Sequence, residues 1–305
     1  MSASAPLAGP ALPPGGPAAP PRGPALSRRG RAASQLRATG PAGIACLVII
    51  AVAVLVAVFG TFLAPYDPNA PNLSLAWIGP SGGHLLGFDF QGRDVLSRLL
   101  VGARTALLGP LAVVIGSMTV GLLLAVTSAW RRGVSDAVIS SGLDVLFAFP
   151  GILLAVLAAT VFGAGLTAAA IALAVAYMPY VARVLRGAAL KERSQPYVAA
   201  LEVQGASAVS ICIRHLIPNM MPLMVAQATI LFGYAMVDLA AISFLGLGVQ
   251  PPEPNWGVMI SENQVGIPQG YPLPALAACV CIVVVVIAVN VLGERLFEQA
   301  QAARR

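Results

Sequence analysis

Six long apolar runs constrain the fold of this chain more than any other feature of its sequence. They lie at about 42–64, 106–129, 138–160, 166–184, 220–245 and 273–293. A helix needs about 20 apolar residues to cross a bilayer, and each run meets or approaches that length. Only 10% of the residues are charged, whereas a typical soluble domain has about 25%. We therefore expect an all-α, polytopic membrane protein with about six transmembrane helices.

The basic residues predict the orientation of these helices. With six spans and a cytoplasmic N-terminus, only Arg93, Arg98 and Arg104 of the 18 lysines and arginines fall outside. Because cytoplasmic loops carry an excess of Lys and Arg, both termini are expected to be cytoplasmic. The expected location is the plasma or inner membrane of the cell, in contact with the lipid bilayer. No basic patch is interleaved with aromatic residues that would stack on bases, so nucleic acid is not an expected partner.

Composition divides the chain into a tail and a membrane domain. Residues 1–40 are rich in Pro, Ala, Gly and Arg, with Arg28, Arg29 and Arg31 near the end. Such a segment cannot build a core, so we expect a disordered cytoplasmic tail. Residues 41–305 form the predicted transmembrane permease domain, with a long outside loop at 64–104 and an inside loop at 185–219.

The inside loop has the pattern of two short helices joined by a tight turn. Pro196 suits the first turn of a helix. Gly205 then permits a sharp turn or a close backbone approach. A second helical stretch leads through Arg214 to Pro218. An amphipathic helix with no partner is the less specific interpretation of the same pattern.

The outside loop ends in a segment that predicts another short helix. Asp94 is placed to cap it, and Val95, Leu96, Leu99 and Leu100 then share one face. That face fits either the membrane surface or neighbouring helices. A packed helix without contact to a solute and a role at the mouth of a pore both remain open.

Two acidic residues fall inside predicted spans. Asp144 lies about one turn from the start of the third span, and Asp238 lies in the outer half of the fifth. An acid within a membrane helix is costly and suggests a function, although Asp144 is close enough to the end of its span to reach water. Pro150 predicts a kink in the third span.

Three segments resemble the permease subunits of ATP-binding-cassette (ABC) importers of the dipeptide, oligopeptide and nickel group. They are HLLGFDFQGRDVLSRLL, YVAALEVQGASAVSICIRHLIP and SFLGLGVQPPEPNWG, and the third is the most specific. The resemblance covers about residues 42–299. It implies the type I ABC importer permease fold, in the second-permease-subunit type, forming half of a translocation pore. It also implies a second related permease, two ATPase subunits that hold ATP and Mg²⁺, and an extracytoplasmic substrate-binding protein. No cofactor or metal is expected on this chain.

The resemblance also implies roles for individual residues. Coupling to the ATPase is expected from Tyr197, Val198, Ala199, Ala200, Glu202, Gly205, Ala206 and Pro218. The candidates for the pore and its outer gate are Asp144, Pro150, Asp238, Ser243, Gly246 and Gly248. The matching residues of the outside loop are Asp89, Gly92, Arg93 and Asp94.

Two positions depart from the family pattern. Ala199 stands where the family usually has Glu, and the family's later acid falls on Leu239, one residue after Asp238. Glu202 lies on a neighbouring part of the same helix face as Ala199. We predict that Glu202 partly replaces the missing carboxylate by binding a basic group on this chain or on the ATPase.

The main alternative is an ion-coupled secondary transporter that uses Asp144 and Asp238 as proton sites. The missing inverted-repeat pattern counts against it. A membrane enzyme is a weaker hypothesis, because the chain has neither a GxxxxGK[ST] phosphate loop nor a GxSxG motif. His84 and His215 are expected on opposite sides of the membrane, which argues against a two-histidine metal site. The substrate stays open among peptides, nickel, haem and other small solutes.

Overall fold

The structure is a computed structural model that describes residues 40–131 and 133–302. The predicted disordered tail lies outside the described residues, except for Gly40, where the first helix begins. The described part of the chain contains no β-strand and forms ten α-helices. They are α1 (Gly40–Leu63), α2 (Val95–Arg131), α3 (Gly133–Phe147), α4 (Gly151–Phe162), α5 (Leu166–Arg193), α6 (Pro196–Val203), α7 (Ala208–Ile211), α8 (Ile217–Phe244), α9 (Trp256–Asn263) and α10 (Leu273–Ala302).

Five stretches of helix are long and apolar enough to cross a membrane. They are α1, α2, α5, α8 together with the α7 segment before it, and α10. The α3–α4 pair makes a sixth span if its two halves are counted together. This count agrees with the six predicted spans and confirms the all-α fold.

The third predicted span is broken rather than kinked. Its two halves, α3 and α4, meet at an angle of 81°. Pro150 lies at the break, immediately before α4, and has no backbone N–H to continue the hydrogen bonds of α3. Asp144 consequently lies in the last turn of α3, not one turn from the start of a span as predicted.

Two helices extend further into the predicted loops than expected. The predicted helix after Asp94 and the second span form one continuous helix, α2, so the outside connection ends at Asp94 rather than at Arg104. Similarly, α5 runs to Arg193, well inside the predicted inside loop. It ends before Pro196, which disfavours a helical conformation at Gln195.

Helix α2 lies at the centre of the bundle. It packs along α5 and also contacts α1 and α8. A Cβ added at Gly121 of α2 would come within 2.7 Å of Val181 Cγ1 on α5. Small residues of this kind let membrane helices approach closely. The apolar core that contains Val181 also includes Leu185, Leu216 and Leu231, all almost fully buried.

The outward surface of α1 is apolar along its length. Its exposed side chains include Val48, Leu55, Val58 and Phe62. Exposed apolar surface on this scale is typical of contact with lipid.

Candidate functional site

The connection between α5 and α8 (residues 194–216, here the α5–α8 connection) has the predicted two-helix form. Pro196 occupies the first turn of α6. The Ser207 side chain caps α7, because its Oγ accepts a hydrogen bond from Ser210 N at 3.3 Å. A π-helical turn, Cys212–Leu216, leads directly into α8, and Pro218 lies in the first turn of α8.

Gly205 makes the turn between α6 and α7. Its φ is +79°, a conformation that most L-residues avoid. Gly205 N donates to Glu202 O and Ala206 N donates to Leu201 O, both at 3.0 Å. This pair of bonds is the Schellman arrangement that ends a helix with a glycine. No atom lies within 4 Å of a Cβ placed on Gly205, so the turn requires glycine for its backbone angle and not for close packing.

One acidic side chain braces this connection against the bundle. Glu192 Oε1, near the end of α5, accepts hydrogen bonds from the Tyr197 hydroxyl at 2.8 Å and from Asn219 Nδ2 at 2.7 Å. Partial burial and the bond to Glu192 raise the pKa of Tyr197 above its usual range. Sequence reasoning missed Glu192 and Asn219, because Asn219 lies 27 residues after Glu192 and the three residues form no spaced motif.

Arg193 fixes the same end of α5 to the end of α2. Its Nη1 donates to the carbonyl oxygens of Ala129, at 2.7 Å, and of Trp130. Its guanidinium also lies 4.6 Å from the centre of the Trp130 ring. These contacts satisfy carbonyl groups that the last turn of α2 leaves without helical partners.

The remaining predicted coupling residues differ in exposure. Val198 is buried, Tyr197 and Ala206 are half-buried, and Ala199, Ala200 and Glu202 are exposed. Glu202 has no basic side chain within 4 Å among the described residues. Its predicted pairing with the ATPase stays a prediction.

Three apolar side chains of the α5–α8 connection project into open space. Val203 is 90% exposed, and Val209 and Ile213 are also exposed. We call these three residues the connection surface. Exposed apolar groups on a helical connection that is itself braced by hydrogen bonds are typical of a docking site.

The outside-loop candidates form a buried charge cluster. Arg93 Nε lies 2.6 Å from Asp89 Oδ2, and Arg93 Nη2 lies 2.8 Å from Glu262 Oε2. Arg98 Nη2 also reaches Glu262 Oε2, at 2.9 Å. The cluster joins the α1–α2 connection and the start of α2 to α9. Because Asp89, Arg93 and Arg98 are almost fully buried, their side chains are not accessible to a solute. Glu262 was not singled out in the sequence.

Gly92 and Asp94 are the other two candidates of the α1–α2 connection. Gly92 has a φ of +70°, and a Cβ there would overlap Asn72 O. Asp94 caps α2 as predicted, since its Oδ2 accepts a hydrogen bond from Ser97 N at 2.7 Å. Its Oδ1 lies 2.8 Å from His84 Nδ1. The face of α2 that follows packs inside the protein, where Val95 and Leu99 are buried.

The pore candidate Asp144 is paired with a basic residue. Arg183 Nη2 of α5 lies 2.7 Å from Asp144 Oδ1, and its guanidinium covers the Phe147 ring at 4.7 Å. Arg186 holds Asp136 of the same helix α3 in a second ion pair. Two arginines of α5 thus contact α3, one near its start at Asp136 and one near the break at Pro150.

The pore candidate Asp238 lies half-buried on α8 and accepts a hydrogen bond from the Tyr177 hydroxyl of α5. The family's usual acidic position, Leu239, is buried in the apolar core. The two positions therefore face differently.

The segment after Asp238 ends α8. Ser243 is buried and its Oγ accepts a hydrogen bond from Val249 N at 3.3 Å. Gly246 has a φ of +74°, and Gly248 N donates to Ile242 O at 3.2 Å. These three candidates form the end of a helix and its turn, apart from Asp144 and from the α5–α8 connection. Among the described residues, no group of three or more His, Cys, Asp or Glu side chains is arranged to hold a metal ion.

Two stretches of the chain match known protein families. Residues 117–301 match the binding-protein-dependent transport system inner membrane component. Residues 40–80 match the N-terminal transmembrane domain of oligopeptide transport permease C. The chain belongs to this family of ABC importer permeases.

Related permeases match most of the chain. A glutathione transport system permease protein, GsiD, of Pectobacterium atrosepticum is 36% identical over 84% of this chain and 83% of its own length. GsiD of Escherichia coli O6:K15:H31 is 38% identical over 80% of each chain. The di/tripeptide transport system permease protein DppC of Pseudomonas aeruginosa is 36% identical over 80% of this permease and 82% of its own length.

Solved structures support the same fold. An inward-facing structure of the MetNI methionine ABC transporter aligns with a TM-score of 0.55 and 21% identity, over 66% of this permease and 95% of that chain. A second crystal form of MetNI gives a TM-score of 0.52. The core of the permease therefore has the fold of an ABC importer permease.

Proposed function

We propose that this permease forms half of the pore of an ATP-driven importer for small peptides or related solutes such as glutathione. The curated relatives are permeases for glutathione and for di- and tripeptides, which supports this substrate class. A second related permease completes the pore, and an extracytoplasmic binding protein delivers the solute. Two separate ATPase subunits bind ATP and Mg²⁺.

The α5–α8 connection is the observation that carries this proposal. The connection surface is exposed and apolar. Glu192 ties the connection to α5 and α8, and Arg193 ties the adjoining end of α5 to α2. An ATPase subunit that docks there would transmit its movement to three helices at once. The pore then changes state only as far as the bound ATPase favours one state over the other.

The excess of basic residues supports a cytoplasmic position for this connection and for both termini, on the side of the membrane where ATP is available. The opposite end of the bundle, with the cluster of Asp89, Arg93, Arg98 and Glu262, then faces the binding protein.

Substitution of Val203 tests the proposal. We expect Val203→Asp to reduce co-purification of the ATPase subunits and to lower ATP-driven dialanine uptake about tenfold or more, because burying a carboxylate in an apolar contact is costly. Val134→Asp is the matched control. Val134 is 80% exposed, and it lies in the first turn of α3, where an acid is tolerated.

Equal effects of the two substitutions would exclude the connection surface as the docking site. Uptake of dialanine by this permease without any ATPase subunit would instead support the ion-coupled transporter.

A further inference from the structure

Asp238 lies in a membrane-spanning helix and has no basic side chain beside it. In the described part of the chain its only hydrogen bond comes from the Tyr177 hydroxyl to Oδ2, and no basic side chain lies within 4 Å. Oδ1 has no hydrogen-bond partner among these residues. By contrast, Asp136 and Asp144 are each paired with an arginine of α5. A carboxylate at this depth is expensive to maintain without a partner and marks a functional position.

The surface near Asp238 is open and carries several polar groups among apolar ones. Gln227, Tyr234 and Asp238 recur at intervals of seven and four residues, which places them on one face of α8. Tyr234 is 62% exposed, and Gln227 accepts a hydrogen bond from the Tyr180 hydroxyl of α5 at 3.0 Å. Gln227, Tyr234 and Val237 also line a groove with Asn290 and Glu294 of α10.

This face differs from the lipid-type surface of α1. Hydroxyl, amide and carboxylate groups gain nothing from contact with lipid tails, and a charge there is costly. The face of α8 is therefore suited to border a watery path or another protein chain, and the free carboxylate oxygen is suited to bind a positive group.

We propose that Asp238, with Tyr177 and Tyr234, forms a transient binding site for the primary ammonium group of the solute as it crosses the pore. The proposal rests on the function proposed above and names the part of the solute that the pore recognises. The carboxylate accepts a charge-assisted hydrogen bond through the oxygen that Tyr177 does not occupy. The ring of the exposed Tyr234, one turn earlier on α8, is of the type that attracts a cation. A divalent metal would need more ligands than this single carboxylate provides.

The site is suited to weak, short-lived binding of the solute. One carboxylate with neutral tyrosine neighbours lowers the barrier for a positive group without enclosing it. Conduction requires binding that is favourable enough for entry and weak enough for release.

Thiol labelling tests the site without transport. In the assembled complex, with Cys46, Cys212, Cys279 and Cys281 replaced, Val237→Cys is treated with cationic trimethylammonioethyl methanethiosulfonate (MTSET) or anionic sulfonatoethyl methanethiosulfonate (MTSES). Val237 is half exposed and adjoins Asp238. The ratio of the MTSET rate to the MTSES rate is divided by the same ratio measured with a small free thiol. We expect this normalised ratio to be about tenfold, and to approach unity when Asp238→Asn is added.

The matched control is Val58→Cys on the apolar surface of α1, where both reagents should react slowly. If Val237→Cys reacts no faster than Val58→Cys, or if Asp238→Asn leaves the ratio unchanged, the ammonium site is wrong.

Uptake separates this proposal from the function on which it rests. Asp238→Asn should lower dialanine uptake about tenfold, whereas Asp238→Glu, which restores the charge, should recover most of it. Unchanged uptake by Asp238→Asn overturns the site. Loss of the second permease from purified Asp238→Asn complexes also overturns it, because Asp238 would then pair with that chain. A wild-type complex that takes up neither dialanine nor glutathione contradicts the proposed function, while the labelling ratio is measured independently.

Discussion

The Tyr197 hydroxyl lies 2.8 Å from Glu192 Oε1 and so joins the first turn of α6 to the end of α5. Asn219 of α8 donates to the same oxygen at 2.7 Å. A single carboxylate thereby links three helices at one end of the bundle. A displacement of α6 would therefore act on both α5 and α8 through these two hydrogen bonds.

Removing one of these contacts should weaken coupling without unfolding the permease. We expect Tyr197→Phe to cost about 1 kcal/mol of local stability and to reduce the ATPase stimulation caused by solute-loaded binding protein. Thr160→Val is the control, since the exposed Thr160 hydroxyl donates only to Leu157 O within its own helix, α4. If both variants stimulate the ATPase as wild type does, the Glu192 brace has no role in coupling.

The hydrogen bond between Tyr197 and Glu192 also predicts how ATPase stimulation depends on pH. Burial and Glu192 raise the pKa of Tyr197 above its ordinary value, which is about 10. When folding raises the pKa of a group, the group contributes its full stabilisation at any pH below its pKa in the unfolded state. That stabilisation is lost as the pH rises through the pKa of the folded state. ATPase stimulation should therefore show no loss that depends on Tyr197 between about pH 6 and pH 9. A decline in that range that is absent from Tyr197→Phe would contradict this expectation.

Gly205 should tolerate some side chains and not others. Because open space surrounds it and only its φ of +79° is unusual, we expect Gly205→Asn to retain most dialanine uptake. Gly205→Val and Gly205→Leu should lose it, since a left-handed conformation costs such residues about 1–2 kcal/mol. Membrane insertion should be unaffected in all three. Equal uptake by the Asn and Val variants would show that the turn is not strained.

The outer charge cluster should be essential for stability. Glu262→Gln leaves Arg93 and Arg98 without one of their two acidic partners in a buried site. Breaking a buried pair in this way costs about 3–5 kcal/mol. The Tm of the purified complex should fall clearly, whereas Glu253→Gln, at an exposed acid, should leave it unchanged. A Tm equal to that of wild type would mean that Asp89 alone compensates both arginines.

The orientation predicted from the arginines can be measured directly. Ser207 and Ser81 are both exposed and lie in the α5–α8 and α1–α2 connections. In a cysteine-free background, an impermeant thiol reagent added to intact cells should label Ser81→Cys and spare Ser207→Cys. Labelling of Ser207→Cys from outside would invert the topology.

Local sequence signals predicted the parts of the site that depend on few neighbours. The helix start at Pro196, the cap at Asp94 and the turn at Gly205 follow from backbone rules that act within a few residues. The break near Pro150 was foreseen only as a kink, because the size of a bend depends on the helices that pack on both sides. The extension of α2 through residues 95–104 was missed for the same reason.

Contacts between distant residues could not be predicted in this way. Glu192 with Asn219, Arg93 with Glu262, and Tyr177 with Asp238 are separated by 27, 169 and 61 residues. No short motif records which side chains will meet across such distances. The difference between Asp238, which faces Tyr177, and Leu239, which is buried, also requires the packed bundle.

The sequence by itself determined that this chain is a bundle of membrane-spanning helices. It predicted both ends of the first and fifth spans and the starts of the fourth and sixth to within about three residues. It did so because hydrophobic length, proline, glycine and capping residues act locally on the backbone. Only the tertiary structure decided which charges are neutralised and which remain available, since that depends on the side chains that other helices bring within about 4 Å. This is why Asp144 is paired with Arg183, whereas Asp238 has only the hydroxyl of Tyr177.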